Sequence, residues 1–142
     1  MSELAKSCMQ FKGYEVNEII FHLYPNYVNE NELKITPSFK MNIASSNTDE
    51  YNVQLIFSLQ PNDENPLPFS MDVTMTGFFE IKMDTENEIL KQTLLHENTV
   101  AIMFPFLRAI IASLTSTANI NPLILPVINL SNSFKNETLK SE

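Results

Sequence analysis

Apolar and polar residues alternate along four stretches of the first half of the chain. Phe69, Met71, Val73 and Met75 alternate with Ser70, Asp72, Thr74 and Thr76, and past Gly77 the apolar set resumes at Phe79 and Ile81. Tyr51, Val53, Leu55, Phe57 and Leu59 stand against Asn52, Gln54 and Ser58, with Ile56 out of phase. Leu33 and Ile35, then Phe39, Met41 and Ile43, are set against Lys34, Ser38, Lys40 and Asn42. The first stretch places Ile19, Phe21 and Leu23 opposite Glu18, Ile20 and His22. A period of two repeated this often predicts an antiparallel sheet with one buried face. Pro37 lacks a backbone donor, so the second strand is expected to be bulged or at an edge there. IASSNTDEY and QPNDENPLP have turn chemistry, while YPNYVNENE is longer than a tight turn and carries Tyr24 and Tyr27.

After the strands the period changes. Val100, Met103, Phe104, Leu107, Ile110, Ile111 and Leu114 recur at three and four, which predicts a helix starting near Asn98 or Thr99. Pro105 is expected to kink it or to mark two merged segments. Pro122 and Pro126 are expected to hold NPLILPVINL extended, and a short last helix is expected from Ser131 to Lys140 with Phe134 and Leu139 on one side. Arg108 is the one charge inside the helical part. So apolar a segment must be wrapped by its own sheet and by a second subunit. Interrupted by Arg108 and Pro105, it is expected to stop short of a clean membrane span.

Length adds a single α+β domain over 1–142, with 1–14 expected as a flexible N-terminus. Apolar residues at 44% and charged residues at 18% place the chain among globular proteins. A net charge of −8 argues against nucleic acid, which requires a basic footprint. One cysteine, Cys8, with two scattered histidines builds neither a disulfide nor a zinc site, and no export signal opens the chain. These features lead to the expectation of a cytoplasmic protein that needs no metal or cofactor. With only Gly13 and Gly77, no glycine-rich phosphate cradle is available, and His22 and His96 have no evident nucleophile beside them. The chain is therefore expected not to be an enzyme. Seven Met and ten Phe make a soft apolar inventory, suited to varied partners or simply to filling a core.

At FPFLR (Phe104 to Arg108), followed by an apolar helix and the run ending PVINL (Pro126 to Leu130), the chain resembles the SecB family of export chaperones. TGFFEI (Thr76 to Ile81) and the order of strands and helices extend the likeness from about Glu15 to Leu139. The resemblance implies a four-stranded antiparallel sheet with one long helix packed on one face and a short C-terminal helix. It also implies a homotetramer, a dimer of dimers with the long helices between sheets. The interface would use Phe104, Phe106, Leu107, Ile110, Ile111 and Leu114.

The function implied is that of an ATP-independent holdase. It keeps unfolded preproteins export-competent in apolar grooves and often passes them to the SecA motor. Carried over residue by residue, the client groove falls on Tyr24, Tyr27, Val28, Leu33, Ile35, Phe134 and Leu139. Glu18 and Asp72 match two acidic positions used for motor docking, while His22 stands where another acid is expected. That departure keeps open a SecB-like chaperone dedicated to a toxin–antitoxin pair or another non-export client. From another class, a small-molecule-binding or hotdog-like enzyme domain requires a convergent polar group in an apolar cavity. A bare oligomerisation module is the third alternative.

Overall fold

A computed structural model describes residues 8–24, 37–61, 67–82 and 88–119 of the chain. Four strands, β1 (Met9–Leu23), β2 (Ser38–Ser45), β3 (Glu50–Leu59) and β4 (Phe69–Ile81), form one antiparallel sheet in the order β1-β4-β3-β2. Helices α1 (Glu88–Thr93) and α2 (Thr99–Thr117) follow, joined through the wide π turn Leu94–Asn98. The sheet and long helix are those the alternation and the resemblance lead one to expect. The extended segment at 122–130 and the short last helix lie outside the described residues.

β3 and β4 convert alternation into burial most cleanly. Val53, Leu55, Phe57 and Leu59 of β3 and Met71, Val73 and Met75 of β4 are buried on one side, where they meet Met103, Phe104, Leu107 and Ile111 of α2. The approach is close because Gly77 has no side chain: a Cβ there would stand 2.7 Å from Met103 Sδ. A second, smaller core of Tyr51, Ile81, Leu94 and Leu95 closes the end where the helix begins, with the Lys91 ammonium 5.5 Å from the Tyr51 ring centre. Hydrogen bonding to Tyr51 raises the Lys91 pKa.

Three expectations change. The N-terminal residues from Met9 onward are strand, so the flexible lead does not reach residue 14. The helical stretch starts at Glu88, ten residues before the expected cap, and Asn98 itself has helical backbone angles. Helical residues Glu88–Thr117 together are long and apolar enough, by length and composition alone, to cross a bilayer, contrary to the shorter span expected. The buried stripe of α2 is nonetheless occupied by its own sheet. Pro105 lies inside α2 on its exposed side and does not end it. As expected from Pro37, β2 begins directly after the proline and forms a sheet edge. At its far end α2 stops at Ala118, whose amide donates to the Leu114 carbonyl, and Asn119 takes the left-handed φ of 65°.

Candidate functional site

β1 is the strand whose chemistry and surroundings disagree most. Its inward row is Met9, Phe11, Tyr14, Val16, Ile19, Phe21 and Leu23, paired with Ile81, Phe79, Gly77, Met75, Val73, Met71 and Phe69 of β4. Two bulges, at Lys12 and Asn17, keep this row on one side by absorbing an extra residue each. Gly13, next to the first bulge, has φ +122°, a region that side chains rarely tolerate.

The helix covers this row only at one end. Phe106 reaches over to Tyr14 and Phe11 at ring-centre distances of 4.8 and 5.8 Å. Further along, Ile19 and Leu23 remain 46% and 43% exposed although their partners Val73 and Phe69 are 0% and 5% exposed. Among the described residues, an apolar margin without a covering layer therefore runs from Phe106 and Tyr14 through Val16 and Ile19 to Leu23. None of Tyr14, Val16 and Phe106 was expected to belong to such a margin with β1 residues. The signal was present as a period-two pattern twice displaced by one residue.

The opposite face of the same strand pair is polar. Glu15, Glu18 and Ile20 lie in register with Thr76, Thr74 and Asp72, so the two expected docking acids, Glu18 and Asp72, share one face on adjacent strands. Asp72 accepts a hydrogen bond from Gln60 Nε2 at 3.0 Å, and Asn17 at the bulge accepts one from the Thr76 hydroxyl. Ile20 stands 51% exposed between the acids. His22 is on this face at the strand end, its ring edge-on to Tyr24 at 4.6 Å.

Tyr24, expected to line a groove, is tied to the end of the sheet. Its amide donates to the Pro68 carbonyl at 2.8 Å and its hydroxyl to Ser70 Oγ at 3.4 Å. Tyr27, Val28, Leu33, Ile35, Phe134 and Leu139 lie outside the described residues. The six helix residues expected at an interface divide. Phe104, Leu107 and Ile111 are buried under the chain's own sheet, whereas Phe106 is exposed and Ile110 and Leu114 are half-buried. Beside them the outward side of α2 is Ala101, Pro105, Ala109, Ser113 and Ser116, without a charge. Arg108 is half-buried, its guanidinium 6.0 Å from the Phe104 ring centre. His96 Nε2 is 2.8 Å from Gln92 Oε1.

Fold and site together define an open-sheet α+β protein whose distinguishing surface is an uncovered apolar margin. A family model described as preprotein translocase subunit SecB matches residues 22–141, and the chain belongs to the SecB family. It is 31% identical over 147 residues to the uncharacterized protein MJ0357 of Methanocaldococcus jannaschii, covering 96% of this chain and 90% of that one. It is also similar to the protein-export proteins SecB of Ehrlichia ruminantium and Anaplasma phagocytophilum. Identities are 29% and 37%, over 61% and 57% of this chain and 53% and 52% of theirs. The chain thus spans about half the length of these export proteins. Among solved structures, the Mycobacterium tuberculosis SecB-like chaperone Rv1957, in complex with a ChAD peptide from the HigA1 antitoxin, superposes with a TM-score of 0.70 at 13% identity. That match covers 89% of this chain and 98% of the other and shows a shared fold.

Proposed function

We propose that the protein is an ATP-independent chaperone, a holdase that binds unfolded polypeptides through apolar surface and acts as a homotetramer in the cytoplasm. Membership of the SecB family supports this reading, and the observation that carries it is the open margin of Tyr14, Val16, Ile19, Leu23 and Phe106. A lone domain gains nothing by leaving these side chains in water, whereas an assembly or a client covers them. The small, uncharged outer side of α2 permits close approach of a second helix, in keeping with a dimer of dimers whose long helices lie between sheets.

Magnitudes favour many weak sites. A client segment burying ~400 Å² of apolar surface gains roughly 10 kcal/mol at about 25 cal/mol per Å². Association and ordering cost about 4–15 kcal/mol, so firm grip requires one long client across several subunits. Tyr24, Tyr27, Val28, Leu33, Ile35, Phe134 and Leu139 are the proposed client contacts. Glu18 and Asp72 are the proposed contacts for the SecA motor. A dedicated non-export client is the second reading, favoured by His22 on the docking face in place of an acid.

Mixing the purified protein with a chemically denatured client and following turbidity tests the proposal. Aggregation should fall to near zero at stoichiometric tetramer, and light scattering should give four chains. Undiminished aggregation would refute the holdase reading.

A further inference from the structure

Of the two histidines, His96 belongs to the helical layer, and His22 stands exposed on the outward, polar face of the sheet. It is in register with Ser70 of β4, and Asp72, two residues further along β4, is its diagonal neighbour on the same face. Such diagonal neighbours lie about 7–8 Å apart, within reach of an aromatic side chain. Tyr24 keeps the imidazole at this strand end. The tyrosine is itself fixed by its amide bond to the Pro68 carbonyl and its hydroxyl bond to Ser70 Oγ, and the two rings meet at a centre distance of 4.6 Å.

The charged groups that β1 and β4 bring to this part of the face are all acidic. Glu15 and Glu18 precede His22 on β1, and Asp72 approaches it from β4. From β3 come Ser58, in register with Asp72, and beyond the strand Gln60, which donates to Asp72; both are neutral. Tyr24 adds a phenol. Lys40, a cation on the same face, is on β2, with β3 between it and β4. Among the described residues the ion pairs gather at the other end of the sheet, where Lys12 and Lys82 meet Glu50 and Glu80. Glu15, Glu18 and Asp72, with the exposed Ile20 beside them, therefore suit a cationic segment carrying an apolar residue.

Histidine ordinarily changes charge between pH 5 and 8, whereas carboxylates do so at lower pH. A proton on His22 sets a positive charge beside Asp72 and offsets one of the three carboxylates that attract the cationic segment. We infer that His22 makes docking of a basic partner on the Glu18–Asp72 face sensitive to acidification: the neutral imidazole permits it and the imidazolium opposes it. This rests on the docking contacts proposed above and adds their regulation. The apolar holding surface, on the other side of β1, takes no part.

The probe is a fluorescent lysine-rich peptide with a single leucine, titrated at low salt at about pH 7.5 and about pH 5.5, on either side of the ordinary histidine range. Affinity should fall roughly threefold to tenfold at the lower pH, the size expected of one added charge at this distance in a solvated setting. His22→Gln should bind at the higher affinity at both pH values, and His22→Lys at the lower affinity at both. Glu18→Gln with Asp72→Asn should lose most of the binding.

A fall in His22→Gln as large as in wild type overturns the inference. So does the absence of peptide binding at the higher pH, or binding that survives Glu18→Gln with Asp72→Asn. Suppression of client aggregation, measured in parallel at the higher pH, separates the outcomes. If suppression persists while His22→Gln responds to pH as wild type does, the gate fails and the holdase reading stands. If the gate operates without suppression, the reverse holds.

Discussion

β4 and β1 are hydrogen-bonded neighbours of 13 and 15 residues, both patterned to put apolar side chains on one side of the sheet. Met71, Val73 and Met75 of β4 are fully buried, whereas Val16 and Ile19 of β1, paired with two of them, keep more than a third of their surface. Pattern decides which way a side chain points, and a covering layer decides whether pointing that way stabilises anything. Here the layer is α2, which lies over β3 and β4 and meets β1 chiefly through Phe106. The helix-covered strands bury their apolar row; the margin on β1 keeps its row exposed, and association there is the proposal.

The comparison breaks most visibly under truncation. Leu107→Ala, beneath the covered part of the sheet, should cost about 2–5 kcal/mol in urea unfolding. Ile19→Ala, still half in water, should cost less than about 1.5 kcal/mol in the isolated chain. Equal losses would mean that β1 is covered as β4 is.

Next in size is Gly77→Ala, at the point where helix and sheet touch. The added methyl would lie 2.7 Å from Met103 Sδ and 2.9 Å from the Phe79 ring edge. Overpacking of this kind should destabilise by about 1–3 kcal/mol, offsetting the small gain alanine would otherwise bring to a strand. A stability equal to wild type in a thermal melt would show that Met103 can move aside without cost.

The two regions also differed in how plainly the chain announced them. For β3 and β4 the alternation keeps one phase, Ile56 apart, so strand limits and buried face were legible; the close approach of Gly77 to the helix was not. β1 repeats the same alternation with one extra residue at Lys12 and another at Asn17, so its inward apolar positions fall at intervals of two, three, two, three, two and two. Such spacing resembles neither a strand nor a helix, and Met9 to Tyr14 passed for part of a loose lead. The helix start was obscured for another reason. Ile89 is exposed and α1 has no buried residue, and the π turn at Leu94–Asn98 breaks the 3.6-residue period between Leu90 and the apolar row of α2. Of the site, strand period put Glu18 and Asp72 at polar positions, and the resemblance to the family singled them out. The margin with Phe106 depends on a contact between distant parts of the chain that no local pattern contains.

A milder intervention tests whether the margin serves the proposed assembly. Val16→Asp with Ile19→Asp should shift light-scattering mass from the proposed tetramer toward smaller species, with far-UV circular dichroism unchanged, since both positions retain access to water. An intact tetramer in the double variant would move the interface off β1 and onto the outer side of α2.

The smallest effect concerns how β1 is fastened at its covered end. Lys12, at the first bulge, reaches Glu80 of β4 at 3.0 Å and Glu50 of β3 at 3.9 Å, and Lys82 joins Glu80 at 3.4 Å. The hydrogen bond from Lys12, then that from Lys82, holds the Glu80 carboxyl below its ordinary value of 4.5. The hydrogen bond with Glu80 raises Lys12 above 10.5. A depressed carboxyl stabilises the fold above its unfolded pKa and loses that contribution as pH falls through the folded value. A raised lysine stabilises below its unfolded pKa and loses that as pH rises through the folded value. The cluster therefore supports β1 across neutral pH and weakens at both extremes. Because these groups meet solvent, added salt should screen the contribution. Glu80→Gln should flatten the decline in stability below the ordinary carboxylate range and make it less sensitive to salt. Urea midpoints between pH 3 and 7 at two salt concentrations measure this. A decline as steep as wild type's would leave β1 fastened to β4 by its backbone ladder alone.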